Sequence, residues 1–227
     1  MILDPTDQFI TTILAHCDIR DKVILEVGCG KGRVTRDLAR FARKVVATDP
    51  DEAALQQARA AITSENVEFV RCRGEALRFP PNSFDVAVYP LSLHHIPSEA
   101  MVASLAQAMG CLREGGCVIV IEPGEGGAMN EAKERFGVGS GDEREGKESA
   151  LKAMAALQGW HMGETVRFRT LFSFADEEDF FHSMLPGYRE KPQELLREIA
   201  LFLGQYREGS EIVLDSERRM NVLTRHR

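Results

Sequence analysis

No two cysteines in the chain are spaced as CxxC, and the five present, Cys17, Cys29, Cys72, Cys111 and Cys117, are odd in number. Neither a disulfide framework nor a zinc site is expected from that pattern, and reduced, mostly buried thiols are the simpler reading. Long uncharged apolar runs are also missing, so no segment reads as a transmembrane helix. The opening residues, MILDPTDQF, lack the basic cluster and apolar stretch of a secretory signal. These absences predict a soluble, cytoplasmic protein with no metal centre and no membrane partner. Positive charge is in short supply: 28 Lys and Arg stand against 35 Asp and Glu, a net charge of -7. That balance disfavours nucleic acid and anionic membranes as partners. Arg71, Arg73 and Arg78 cluster locally, which a solvated face accounts for. With 227 residues the chain can bury a sizeable core, and the reading is a single domain over 1–227.

What is present is an alternation of short β-branched runs with helical patterns, the mark of a parallel sheet covered by helices. KVILEV, KVVAT, VEFVRC, FDVAVYP and CVIVIEP read as five strands. Between them GRVTRDLARFA carries Val34, Leu38 and Phe41 at helical spacing, EAALQQARAAI follows a capping Asp51, and residues 99–112 are amphipathic. A helix ahead of the sheet is expected over 5–17. After Pro123 the stretch GEGGAMNEAKERFGVGSGDEREGK mixes glycine with charge and reads as a mobile connection that could act as a lid. Further on, helices are expected over 148–157, 176–185 and 193–206, a sixth strand in TVRFRTLFSF and a closing strand in EIVLDSERRMNVLTRH. In such sheets the ligand sits beyond the carboxyl ends of the strands, where the winding reverses. The motifs do follow strands: VGCGKG after the first, Asp49 at the end of the second, RGEAL after the third and LSLHH after the fourth.

The glycines of VILEVGCGKG discriminate between cofactors. A dinucleotide site wants GxGxxG, but Gly28 and Gly30 are followed by Gly32, one position early. A P-loop needs a four-residue interval between glycines and a Lys-Ser/Thr pair, and GCGKGRVT has neither. Glu26 with Gly28, Gly30 and Gly32 makes ExGxGxG, which resembles motif I of the class I S-adenosylmethionine-dependent methyltransferases. The likeness runs from about Lys22 to Pro123: Asp49 ends the second strand, NSFDVAVYPLSLHHI resembles the fourth-strand region, and LREGGCVIVIEP resembles the LxPGG turn and fifth strand. The small-molecule branch called type 11 is the nearest in pattern. The resemblance implies an α/β, Rossmann-like, doubly wound and mostly parallel seven-stranded sheet with helices on both faces. Its core motifs would occupy 22–123, and substrate-covering segments 1–20, 123–147 and 175–209.

S-adenosylmethionine carries an amino-acid end, a sulfonium, a ribose and an adenine, and each wants a different partner. Glycines without Cβ atoms let the backbone approach the amino-acid end, and amides at the following helix start favour its carboxylate. The resemblance implies that Glu26, Gly28 and Gly30 line that portion and that Asp49 accepts the ribose hydroxyls, although Asp49 could also cap the next helix beside Asp51; Cys29, between the glycines, is counted with the cofactor-binding residues, and filling a small gap is its simpler reading. Gly74 and Glu75 are the candidates for the adenine. Many relatives have an aspartate near Arg73, and an arginine cannot accept the hydrogen bond of the adenine amino group. Asp85, in an FD pair, reads as structural.

Methyl transfer relies on alignment and desolvation, and a dedicated base is optional. His94 and His95 stand nearest to where the methyl group is expected. A histidine could take a proton or orient an acceptor near neutral pH, but a role in positioning the loop is the preferred reading, and neither is assigned as catalytic. The YPLSLHH stretch lacks the D/NPPY pattern of enzymes that methylate bases or amides on nitrogen. Trp160, Phe168, Phe172, Phe174, Phe180, Phe181 and Tyr188 could form an acceptor pocket, and their spacing is equally that of core residues. The leading expectation is a methyltransferase acting on an oxygen, nitrogen, sulfur or carbon nucleophile of a small molecule, with S-adenosylhomocysteine as product. The alternatives are a non-catalytic module that binds S-adenosylmethionine as a sensor or scaffold, a protein or RNA methyltransferase, and a nicotinamide oxidoreductase.

Overall fold

The computed structural model describes residues 1–141 and 143–226. In chain order its strands are β1 Ile2–Leu3, β2 Val23–Val27, β3 Lys44–Asp49, β4 Val67–Arg71, β5 Phe84–Pro90, β6 Leu112–Pro123, β7 Trp160–Met162, β8 Val166–Phe174, β9 Arg207–Glu208 and β10 Glu211–Arg225. The helices are α1 Gln8–His16, α2 Arg33–Ala39, α3 Glu52–Ala61, α4 Met101–Gly110, α5 Ala128–Phe136, α6 Arg144–Ala155, α7 Glu177–Met184 and α8 Gln193–Gly204. Among the described residues seven strands have five residues or more, and β1, β7 and β9 are fragments of two or three. The chain forms two compact units: one holds Phe9–Glu122, Arg144–Val166 and Arg219–Arg227, the other Met1–Gln8, Pro123–Glu143 and Arg167–Arg218.

In the larger unit the strands run in the order β6-β5-β2-β3-β4. Every pairing among them is parallel, with Leu25 opposite both Val46 and Ala87. From β2 the chain winds outward through β3 and β4, then returns to β5 on the other side of β2. The reversal point therefore lies between β2 and β5, as a doubly wound sheet requires. Strand interiors are buried, which explains their near-continuous β-branched runs: Ile24, Leu25, Val45, Ala47, Ala87, Val88, Val118 and Val120 are all fully covered. The core of this unit continues into α4 and α6 through Met101, Leu105, Ala108, Ala150 and Met154. Asp51 caps α3, its side chain accepting from the Ala53 amide at 2.8 Å. Asp85 has the structural role expected of it, accepting from the Val23 amide at 2.7 Å and pairing with Arg113 at 3.0 Å. Burial alone would raise the Asp85 carboxyl, but that amide and the guanidinium outweigh it and hold it below its usual range.

β6 begins at Leu112, five residues before the expected start. Phe84 pairs with Leu112 and Val86 with Cys117, so a register shift takes up the intervening glycines inside the strand.

The smaller unit has its own core of Met129, Phe136, Phe172, Phe174, Phe180, Ile199, Phe202 and Leu214, among others. Here β1 pairs with β8 and β9 with β10, both antiparallel. The segment expected as a mobile connection contains α5. Its start is fixed by the Asp215 carboxylate, which accepts the Ala128 amide at 2.9 Å, and by Asn130, whose amide group donates to the carbonyls of Gly124 and Gly126. Met129 and Ala132 are fully buried. The aromatics Phe172, Phe174 and Phe180 are core residues, as their spacing allowed. No helix among the described residues is long and apolar enough to cross a membrane.

Candidate functional site

A cavity of about 600 Å³ opens at the carboxyl ends of β2, β3, β4 and β5, within the larger unit. Its wall is made of residues 27–30, 49–50, 73–75, 90–92 and 95–97, five segments that each follow or end a strand. The volume lies in the range of small-molecule sites. The wall brings together seven of the expected residues: Gly28, Cys29, Gly30, Asp49, Gly74, Glu75 and His95.

The glycine loop is shaped by three left-handed residues, with φ of +78° at Gly28, +54° at Gly30 and +82° at Gly32. L side chains rarely adopt that conformation, which explains the alternation in sequence. The glycines differ in what surrounds them. A Cβ on Gly28 would lie 2.4 Å from the Ser92 Cβ, and one on Gly32 would lie 2.6 Å from Ile62 and 3.1 Å from Ala58. Gly28 thus lets β2 pass close to the segment after β5, and Gly32 lets the loop sit against α3. A Cβ on Gly30 would meet nothing within 4 Å, so this glycine faces open space. The loop is tied down by the Gly28 and Cys29 amides, which donate to the Thr48 carbonyl at 2.8 and 2.9 Å. The wall stops at Gly30, so the first amides of the seven-residue α2 do not border the cavity as the sequence suggested.

Asp49 holds the next corner. One carboxylate oxygen accepts the Gly30 amide at 2.8 Å and the other the Asp51 amide at 2.9 Å. A carboxylate offers about four acceptor positions, so about two remain for a ligand. Helix capping belongs to Asp51 and not to Asp49.

Beyond β4, Gly74 sits where a Cβ would fall 2.5 Å from Ile96 and 3.3 Å from Val27. Its carbonyl accepts from the Ser104 hydroxyl at 2.7 Å, and that of Glu75 accepts from Gln107 at 3.1 Å. The Glu75 carboxylate pairs with Arg73 at 3.3 Å. The residue that departs from the family pattern is therefore on the wall and partners the candidate acid.

After β5 the wall contains residues that sequence reasoning did not single out. Leu91 has φ +59°, a strained conformation for a non-glycine residue and one that gathers at functional sites. Ser92 is buried, and its hydroxyl donates to the Val27 carbonyl at 2.5 Å, joining the segments after β2 and β5. The signal for both was their place in LSLHH, directly after a strand.

Two expected residues are not on the wall. His94 is buried and its Nδ1 bonds the Glu122 carboxylate, whereas the neighbouring His95 is exposed and borders the cavity. The two rings are 4.0 Å apart between centroids. Glu26 is fully buried, and neither of its carboxylate oxygens has a hydrogen-bond partner. Burial raises its carboxyl to about 7; Thr35 and Arg33 oppose the rise without overcoming it, and the Thr35 hydroxyl makes no well-formed hydrogen bond to it. An acid left unsatisfied at the end of β2, behind a glycine loop, awaits a positive group or a donor.

Residues 24–116 match the family model described as methyltransferase domain. This segment is similar to methyltransferase domains. The matched segment contains every residue of the cavity wall. Over 106 residues the chain is 34% identical to a ubiquinone biosynthesis O-methyltransferase of Nitrosococcus oceani, a match that covers 45% of this chain and 44% of the relative. Over 106 residues it is also 31% identical to a ubiquinone/menaquinone biosynthesis C-methyltransferase of Hahella chejuensis, covering 44% of this chain and 42% of that one. The chain thus spans less than half the length of these curated relatives. Over nearly the whole chain the likeness is one of fold alone. The YcgJ protein of Bacillus subtilis superposes with a TM-score of 0.61 at 13% identity, covering 96% of this chain and 97% of that one. An S-adenosylmethionine-dependent methyltransferase from Mesorhizobium loti does so with a TM-score of 0.51 at 16% identity, covering 93% and 95%.

Proposed function

We propose that the chain is an S-adenosylmethionine-dependent methyltransferase acting on a small molecule, and that the cavity after β2 to β5 binds the cofactor. The observation that carries this reading is the wall itself, where a glycine loop open at Gly30, an acid with acceptor capacity left at Asp49 and a close-packed turn at Gly74 meet around one volume. The residues fit the group. Gly28, Cys29 and Gly30 offer backbone to the amino-acid end. The buried, unpartnered Glu26 supplies negative charge behind that loop for an ammonium. Asp49 has room to accept two ribose hydroxyls, and Gly74 and Glu75 would border the adenine, with Arg73 holding the Glu75 carboxylate.

When bound, the cofactor supplies a methyl group on a positively charged sulfur, activated toward a nucleophile. The chain's own part is to orient and to exclude water, effects that can lower a barrier by roughly 7 to 11 kcal/mol without a base. His95 is the wall histidine and would face an acceptor; His94, held by Glu122, would set the position of its neighbour through their ring contact. Neither is needed as a base for an acceptor that is already nucleophilic. The curated relatives named for ubiquinone biosynthesis make a phenol or quinol ring a sensible first acceptor to test, with the acid balance of the chain supporting a small molecule over RNA.

Isothermal titration with S-adenosylmethionine and S-adenosylhomocysteine tests the reading directly. Saturable binding of both is expected, and folded protein that binds neither would remove it.

A further inference from the structure

A second cavity, of about 400 Å³, lies at the opposite end of the same strands, near the amino ends of β2 and β5. Cys17 and Cys117 both border it, and their sulfurs are 3.2 Å apart. Exactly 100 positions separate them in sequence, and both belong to the larger unit. We propose that Cys17 and Cys117 form a peroxide-reactive dithiol that closes into an intramolecular disulfide.

The two thiols differ in exposure, which assigns their roles: Cys17 is half-buried and Cys117 is buried. Cys17, just past the end of α1, is pulled below the usual thiol range chiefly by its hydrogen-bonding contact with Cys117, in which either sulfur can donate. Burial and Asp18 oppose that, and Lys22 assists it. Cys117, buried in β6, is pushed up by the same contact and by burial. Cys29, Cys72 and Cys111 are all raised, chiefly by burial, so Cys17 alone among the five thiols is shifted toward the thiolate. The thiolate is the reactive form, and a low-pKa cysteine beside a resolving partner is the arrangement that peroxide oxidation selects. His16, Lys22, Asp85 and Glu114 are the other ionisable residues on the wall of this cavity besides Asp18, which makes it polar and open to a water-like oxidant.

The chemistry balances with hydrogen peroxide as the oxidant. The Cys17 thiolate attacks one peroxide oxygen; the O–O bond breaks, and hydroxide leaves and takes up a proton as water. Cys17 is then a sulfenic acid. The Cys117 sulfur attacks the Cys17 sulfur and loses its proton, the S–O bond breaks, and a second water departs. Two thiols have lost two electrons and the peroxide has gained them. The sulfurs must approach from 3.2 Å to about 2.0 Å, a small movement for a residue beyond a helix end. The bond would close a loop over 17–117 that contains every wall residue of the cofactor cavity.

The test uses the full chain, reduced and then treated with hydrogen peroxide under native conditions, alkylated and digested. The expected result is a single linked peptide pair joining Cys17 to Cys117, lighter than its parts by two hydrogens and reversed by dithiothreitol. In Cys117→Ser, Cys17 should instead be trapped by dimedone as a sulfenic acid, at least several-fold more than Cys72. Recovery of Cys17 and Cys117 from the oxidised wild-type protein as separately alkylated peptides, or their linkage only between molecules, would overturn the proposal. The wild-type mapping stands whether or not the variant folds, and neither outcome depends on cofactor binding.

Discussion

Gly28 and Gly30 stand two residues apart in the same loop, yet substitution should affect them differently. Gly28→Ala meets both a left-handed backbone and the Ser92 Cβ at 2.4 Å. The backbone costs about 1 to 2 kcal/mol and the overpacking about 1 to 3 more, so a loss of about 2 to 5 kcal/mol is expected in urea unfolding. Gly30→Ala has the backbone cost but no clash. Its stability should fall by about 1 to 2 kcal/mol, while its methyl group would occupy the space proposed for the cofactor and should lower S-adenosylmethionine affinity about tenfold or more in titration. Equal affinities for Gly30→Ala and wild type would place the cofactor elsewhere. Glu26 makes a prediction in pH. Its carboxyl ionises at about 7 in the folded chain against the ordinary 4.5. Between these values the folded state holds a proton that the unfolded state has released, so stability falls as pH rises through that window, by about 3 kcal/mol in all. Below the lower value the loss is absent. Glu26→Gln should flatten this slope in denaturation curves taken from pH 4.5 to 7.5. A cofactor ammonium near Glu26 would favour its charged form, so binding at pH 6 should release a proton, visible as a dependence of the titration heat on buffer ionisation enthalpy. That release should vanish in Glu26→Gln.

The end of β3 and the start of α3 carry two acids whose duties the structure separates. The Asp49 carboxylate accepts amides from Gly30 and Asp51, while the Asp51 carboxylate accepts that of Ala53 as the helix cap. Asp51→Ala should cost about 1 kcal/mol of stability and leave cofactor affinity within about twofold. Asp49→Ala frees the Gly30 amide at the cavity edge and removes the proposed ribose acceptor, so affinity should fall about 10- to 100-fold. If the two variants lose affinity alike, Asp49 has no special place at the sugar. What the sequence made legible divides along the same lines. The parallel strands and their helices were readable because buried strands are near-continuous runs of Val, Ile, Leu and Ala, and the cavity wall because ligand residues follow strand ends. Seven of its residues could be named in advance for that reason. Ser92 and Leu91 could not, because their importance lies in a contact with Val27 and in a backbone angle, neither of which leaves a residue-type signal. Nor could α5, whose glycine-rich start is held by Asp215, or the Cys17–Cys117 pair, since partners 87 and 100 positions apart carry no local pattern.

All wall residues fall between 27 and 97, inside the segment that carries the family match, whereas the smaller unit lies wholly outside that segment. Likeness to relatives therefore bears on the cavity proposed for the cofactor and not on the smaller unit. A ligand that binds only the folded larger unit stabilises it by mass action, by about 2.7 kcal/mol at a hundred times its dissociation constant. For a fold of this size that corresponds to a rise in melting temperature of about 5 to 10 °C. S-adenosylmethionine and S-adenosylhomocysteine should both produce it, and NADH should not, since the third glycine of the loop packs against α3 and does not follow the dinucleotide spacing. Catalysis is distinguished from mere binding by following the methyl group. With methyl-labelled cofactor and a cell extract, label should appear in the small-molecule fraction and be lost in Asp49→Ala. A chain with 35 acids and 28 bases has no general attraction for a phosphate backbone. Label in the RNA fraction would therefore require a local basic surface strong enough to outweigh that balance. Label in no fraction, despite a full thermal shift, would make the chain a binding module in which Arg73 and Glu75 hold the cofactor without presenting its methyl group to any acceptor.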